Sequence, residues 1–260
     1  MNKHISSNNN PLVKQLLQLQ SKSKLRKTSG LFVIEGRREI QLALDSGYNI
    51  ETLLYADGIS QDALPQGVQR YVSVNSGVYQ KMAHRGTTEG QIAIARMPGH
   101  HLSDLKIQTP NPLILVAEAP EKPGNIGAIL RTADAAKLDA VIIANPLTDL
   151  YNPNIVRSSV GGIFTVPVAT GSTEEIIAWL KSHNISIFAA ALDQAESYQL
   201  TDYKSPTAIV VGTEDHGLSE SWLKSAQKIV KIPMSGKIDS LNVSVAAGIL
   251  IFEAKRQRGF

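Results

Sequence analysis

Apolar residues in this chain fall into short unbroken runs, and most runs are followed by a stretch with helical spacing. The second half shows the pattern best. Leu113–Ala117 is a fully apolar strand, and a helix is expected over Asn125–Ala136. Strands at Ala140–Ala144, Phe164–Val168, Ile185–Ala191, Ala208–Gly212 and Lys228–Ile232 alternate with helices at Asn154–Ser159, Thr173–Lys181, Ser219–Ser225 and 241–257. Strands without period-two alternation are buried on both faces, so the pattern predicts a mostly parallel α/β sheet with helices on either side. In the first half, Leu12, Val13, Leu16, Leu17 and Leu19 give one helix over 11–27 an apolar face. Strands are expected at 31–36, 50–55, 70–74 and 90–95. Helices over 37–46, between the second and third of these strands, and over 76–83 complete a smaller α/β domain. Pro98, Gly99, Pro110 and Pro112 punctuate a linker. The expected organisation is a domain over 1–96, a linker over 97–112 and a second domain over 113–260.

Composition narrows the class. With 260 residues, 43% apolar and 19% charged, the chain has material for real cores. It has no cysteine, which excludes disulfides, thiolate metal sites and a Cys nucleophile and agrees with a reducing compartment. The N-terminus has no apolar signal-like stretch, and no run reaches the roughly 20 apolar residues of a membrane span. A soluble, cytoplasmic protein with no membrane partner is expected. The net charge of +3 is unevenly placed: residues 1–40 hold eight lysines and arginines against two glutamates. That asymmetry predicts attraction to phosphate backbones, although a solvated basic helix gives the same pattern. His100-His101 lies in the linker without a third ligand nearby and reads as a solvated pair rather than a metal site.

Three loops stand at the C-terminal ends of apolar strands, where open α/β sheets bind ligands. The first runs from Glu118 to Gly127, carries Asn125 and leads to Arg131 six residues on. Asn at a helix start is a good cap, and Arg131 is placed to pair with Asp134. The second, Gly212-Thr-Glu214-Asp-His216-Gly217-Leu218, puts glycine directly after a strand, where a ligand can approach the backbone. It lacks the spacing of a dinucleotide fingerprint or a P-loop, so neither is indicated. His216 is a lone candidate base. The third loop, Ile232 to Asn242, breaks at Pro233 and Gly236 before an apolar helix. Ser240 and Asn242 sit at that junction, where either can cap the helix.

Taken in order, these loops resemble the three sequence motifs of the SpoU (TrmH-type) family of SPOUT methyltransferases. The first motif is Asn125-Ile-Gly-Ala-Ile-Leu-Arg131-Thr-Ala133, the second runs from Gly212 to Leu218, and the third from Ile232 to Ala246. Arg157-Ser-Ser159-Val-Gly161-Gly-Ile-Phe164 is similar to an intervening family segment. The Ser7–Lys14 opening and the Phe32–Gly36 strand resemble the small RNA-binding domain of the rRNA-directed members. One departure is Ala136-Lys137 where the family usually has an aromatic-Gly pair, which bears on local packing. The resemblance implies a trefoil-knotted methyltransferase domain, S-adenosylmethionine as cofactor, no metal, and a homodimer through the catalytic domain. It implies methyl transfer to a ribose 2′-OH of RNA, with 23S-type rRNA favoured over tRNA. Catalytic positions are implied at Asn125, Arg131, Glu214, Ser240 and Asn242, and cofactor-holding backbone around Leu192, Gly212, Ile232 and Leu241. For Arg131 two roles stay open: the general base proposed for the family, and a cation that binds the adjacent phosphate and stabilises the developing alkoxide. An RNA-binding protein without catalysis is the alternative from another class, and the five retained positions argue against it.

Overall fold

The computed structural model describes residues 3–60, 64–84, 89–193, 195–213, 215–237 and 240–260. Its strands are β1 (Lys3–Ile5), β2 (Leu31–Glu35), β3 (Ile50–Ala56), β4 (Tyr71–Val74), β5 (Gln91–Arg96), β6 (Leu113–Glu118), β7 (Ala140–Ala144), β8 (Val168–Gly171), β9 (Ser186–Ala190), β10 (Glu196–Ser197), β11 (Thr207–Val211) and β12 (Lys228–Lys231). Its α-helices are α1 (Pro11–Ser21), α2 (Ser23–Ser29), α3 (Arg37–Asp45), α4 (Ser76–Met82), α5 (Pro123–Ala135), α6 (Pro153–Ser158), α7 (Gly162–Thr165), α8 (Thr173–Ser182), α9 (Glu220–Ser225) and α10 (Val243–Arg258). By contacts the chain falls into two compact units, residues 1–98 with 149–165, and residues 99–148 with 166–260.

Unit one is built on a five-stranded sheet in the order β1-β4-β3-β5-β2. β1, β4 and β3 run parallel, while β5 is antiparallel to both neighbours. Two buried faces explain the unbroken apolar run of β2. Leu31 and Val33 join a core with Val13, Leu16 and Leu19 of α1 and Val78 and Met82 of α4. Phe32 and Ile34 are buried facing the other way. There Phe32 meets Tyr151 with ring centroids 4.2 Å apart, so the 149–165 segment covers the second face although it lies far along the sequence. Tyr48 and Tyr151 share a hydroxyl–hydroxyl hydrogen bond of 2.9 Å, and burial pushes the pKa of both phenols up.

Three expectations change in this unit. The single helix over 11–27 is two helices, because Lys22 is extended (φ −115°, ψ 103°). The break turns Arg26 inward to 3% exposure, where it pairs with Asp149 at 2.6 Å and donates to the Leu19 carbonyl at 2.6 Å. Arg26 therefore caps α1 and leaves the basic cluster. The strand expected over Phe164–Val168 is the short helix α7 followed by β8. Gly161 (φ +94°) sets the turn before α7, and a Cβ there would strike the Leu42 side chain. No helix lies in the described residues between β3 and β4.

Unit two holds a seven-stranded sheet in the order β10-β12-β9-β11-β6-β7-β8, with every pair parallel. This is the mostly parallel architecture that the apolar runs predict. On one face α8 and α9 pack Ile176, Leu180 and Trp222 onto Ile114, Val116 and Ile142. On the other, α10 packs against α5, β6 and β11. Much of the 97–112 stretch also belongs to this unit. The His100 carbonyl accepts from the Thr170 amide at 2.7 Å, and its ring bonds the Val168 carbonyl at 2.9 Å. Leu102, Leu105 and Ile107 pack on the core. Burial lowers the His100 pKa, so this ring is not the solvated side chain expected of a linker.

Candidate active site

The C-terminal ends of β9, β11 and β12, with the turn leading into α10, surround a cavity of about 840 Å³ in unit two. Its walls are Ala190–Asp193, Gly212 with Thr213, Asp215–Leu218, Ile229–Ile232, and Ser240, Leu241, Val243 and Leu250. The four positions expected to hold a cofactor, Leu192, Gly212, Ile232 and Leu241, all line it, and so does Ser240.

Gly212 is needed there for a different reason from the one its sequence position suggests. A Cβ on Gly212 would run into the Gly217 carbonyl and the Leu218 amide. The turn is closed by two backbone hydrogen bonds, Thr213 N–H to Gly217 C=O at 3.0 Å and Gly217 N–H to Thr213 C=O at 3.1 Å. Gly212 thus lets its own loop fold back tightly, and the folded loop becomes the pocket wall. The far end of the loop is pinned by Glu118, a buried carboxylate that accepts from the Ser219 amide (2.8 Å), the Ser219 hydroxyl (2.7 Å) and the Thr173 hydroxyl (3.0 Å).

The third loop ends in a cap, as its composition allows, and Asn242 is the residue that supplies it. Asn242 Oδ1 accepts from the Ser244 amide at 3.0 Å and the Ser244 hydroxyl at 2.6 Å. Its Nδ2 donates to Asn125 Oδ1 at 3.1 Å, which joins the first and third loops. α5 begins at Pro123, two residues earlier than expected, because Pro suits the first helical position. Asn125 is therefore in the first turn rather than at the cap. Arg131 lies about 9 Å further along the α5 axis. It is exposed and does not line the cavity, and its side chain makes no hydrogen bond or ion pair among the described residues. The surface pair with Asp134 is thus absent. Glu214 lies outside the described residues.

Residues 112–252 match the model of the SpoU rRNA Methylase family, more than half of the chain. The chain belongs to the SpoU family. Residues 10–93 match an MRM3-like substrate binding domain. Among relatives, the 23S rRNA (guanosine(2553)-2′-O)-methyltransferase RlmP of Bacillus subtilis is 31% identical over 97% of this chain and 99% of its own length. A crystal structure of an RNA 2′-O ribose methyltransferase is 41% identical, with 99% of this chain and 100% of that one covered and a TM-score of 0.83. An AdoMet-bound rRNA methyltransferase from Sinorhizobium meliloti is 31% identical over 98% and 97% of the two chains, with a TM-score of 0.89.

The SpoU pocket of this chain suits S-adenosylmethionine. Its volume falls in the range of small-molecule sites. Leu192, Leu218, Ile232, Leu241 and Leu250 offer apolar surface for an adenosyl group, while Asp193, Asp215 and Lys224 offer charge for a zwitterionic amino-acid end. Among the described residues no group of three or more His, Asp or Glu could hold a metal ion. Sequence reasoning missed Asp193, Lys224 and the hub at Glu118. A carboxylate closing an otherwise fully apolar strand is the one signal that could have drawn attention to Glu118, because burial demands partners for it.

Proposed function

We propose that this SpoU protein transfers the methyl group of S-adenosylmethionine to a ribose 2′-OH of 23S rRNA. The carrying observation is the cavity walled by the Gly212–Leu218 and Ile232–Leu241 loops, with the Asn125–Asn242 pair tying in the first motif. rRNA is favoured over tRNA because a relative that covers 97% of the chain is named for 23S rRNA and because residues 10–93 match a substrate-binding domain.

When bound, S-adenosylmethionine supplies an electrophilic methyl on a sulfonium. Transfer to the ribose 2′-oxygen would break the methyl–sulfur bond, leave the sulfur as the neutral thioether of S-adenosylhomocysteine and release the hydroxyl proton to water. The backbone around Leu192, Gly212, Ile232 and Leu241 holds the adenosyl group, and Ser240 shapes the pocket. Asn242, fixed by Ser244 and Asn125, sets the third loop against the first. A guanidinium keeps its proton in proteins. Arg131 is therefore assigned to the phosphate beside the target ribose, where it stabilises the developing alkoxide. Glu214 keeps the role its motif implies, orienting this network.

The protein works in the cytoplasm as a homodimer through unit two. Exposed Val245, Phe252 and Phe260 give that unit apolar surface suited to a partner copy. α10, packed on α5, β6 and β11, is the segment threaded through the trefoil. The test is to map 2′-O-methyl groups in rRNA and tRNA from cells with and without the gene. Loss of a 23S rRNA site is expected; loss confined to tRNA would replace the substrate.

A further inference from the structure

A second cleft, of about 430 Å³, lies wholly within unit one. Its walls come from distant stretches of sequence: Lys81 to His84 at the end of α4, and Asn152, Asn154 and Arg157 at and just before α6, with Gln20 of α1 completing it. The side-chain chemistry of the lining is one-sided. Among the described residues that line it, the only fixed charges are the cations Lys81 and Arg157. Asn152 Oδ1 accepts from the Asn154 amide at 2.9 Å, and Asn154 Oδ1 accepts from the Arg157 guanidinium. Gln20 Nε2 donates to the Met82 carbonyl and to Glu35 Oε1, both at 2.8 Å, and the other Glu35 oxygen accepts from the His84 amide at 3.1 Å. What the cleft offers outward is donors and cations. Lys81 is exposed with no ion pair among the described residues, and Arg157 is oriented by Asn154. Exposed Lys22 and Lys24, close to Gln20 in sequence, extend the same sign of charge.

Two cations with no carboxylate among the described lining residues select an anion, and charge-assisted bonds to phosphate are the strong case. We propose that this cleft holds a backbone phosphate of the RNA, with Lys81 and Arg157 neutralising it. The inference rests on the methyltransferase reading only for the identity of the anion. It gives the segment between β7 and β8 a task apart from methyl transfer: half of an RNA grip completed by the N-terminal part of the chain.

The test uses the full chain and a fluorescein-labelled oligouridylate of about twelve nucleotides, titrated from about 50 to 200 mM KCl. Each neutralised phosphate contributes about 0.7 to the slope of log K against log salt for a single strand. Lys81→Ala and Arg157→Gln should each lower the slope by about that amount and weaken binding roughly fivefold at the lower salt. Lys181→Ala, on α8 in unit two, should leave both unchanged, and the affinity for S-adenosylmethionine should stay the same in all three. Wild-type slope and affinity in the Lys81 and Arg157 variants would overturn the proposal. Lys81 is exposed, so its variant decides the matter even if Arg157→Gln fails to fold. Normal methyl transfer to rRNA together with unaltered variants refutes the cleft and spares the enzyme. RNA binding with the expected slopes but no methyl transfer does the reverse.

Discussion

Arg26→Met tests how the 149–165 segment is held to unit one. The substitution keeps an aliphatic stem and removes the charge. Asp149, whose side chain is 7% exposed, is then left with the Ser23 hydroxyl at 2.8 Å as its remaining side-chain donor among the described residues. The Leu19 carbonyl at the end of α1 loses its partner as well. Deleting one member of a buried pair costs about 3–5 kcal/mol, because the other charge stays buried. For a unit of about 115 residues about 1 kcal/mol corresponds to about 4 °C, so unit one should melt about 12–20 °C lower. Both tryptophans, Trp179 and Trp222, lie in unit two. Tryptophan fluorescence therefore follows unit two, while far-UV circular dichroism follows both. The expected result is an early loss of part of the dichroism, ahead of the fluorescence transition. Removing both charges, in Arg26→Met with Asp149→Leu, should recover most of the loss. A dichroism melt for Arg26→Met within about 2 °C of wild type would refute the reasoning, since it would mean that Asp149 is not buried with its partner.

Other predictions follow from unit two. Gly212→Ala forces the Gly217 carbonyl outward at an overpacking cost of about 1–3 kcal/mol. Calorimetric titration should then give roughly ten- to hundredfold weaker S-adenosylmethionine binding, and unchanged affinity would show that the turn is not the pocket wall. Arg131→Ala should abolish methyl transfer while cofactor affinity stays within a few-fold; a large loss of cofactor binding would mean a structural role. Sedimentation at micromolar concentration should give a dimer, and a monomer would remove unit two as a self-association surface.

Much of the second unit was legible because its strands are apolar on both faces, so β6, β7 and β11 sit where their runs of Leu, Ile, Val and Ala predict. The misplacements have physical causes. A run such as Gly162-Ile-Phe-Thr-Val suits either element, and contact with Tyr48 and Leu42 from far earlier in the chain decides for α7. Arg26 looks like its lysine neighbours in sequence. Only Asp149, more than a hundred residues away, makes it a buried residue. In the site, the motif resemblance was enough to name Leu192, Gly212, Ile232, Ser240 and Leu241, which line one cavity, and Asn125 and Asn242, which share a hydrogen bond. It could not show that Gly212 makes room for its own loop, because that contact exists only once the turn has closed.

The central claim is tested most directly by methyl transfer in vitro. The purified protein is incubated with S-adenosylmethionine labelled in its methyl group and with 23S rRNA from cells lacking the gene, and the labelled RNA is digested to nucleosides. The account predicts label in a 2′-O-methylated nucleoside, with the adjacent linkage resistant to alkali because its 2′-oxygen is blocked. Label in a base, or none while cofactor and RNA both bind, would contradict it.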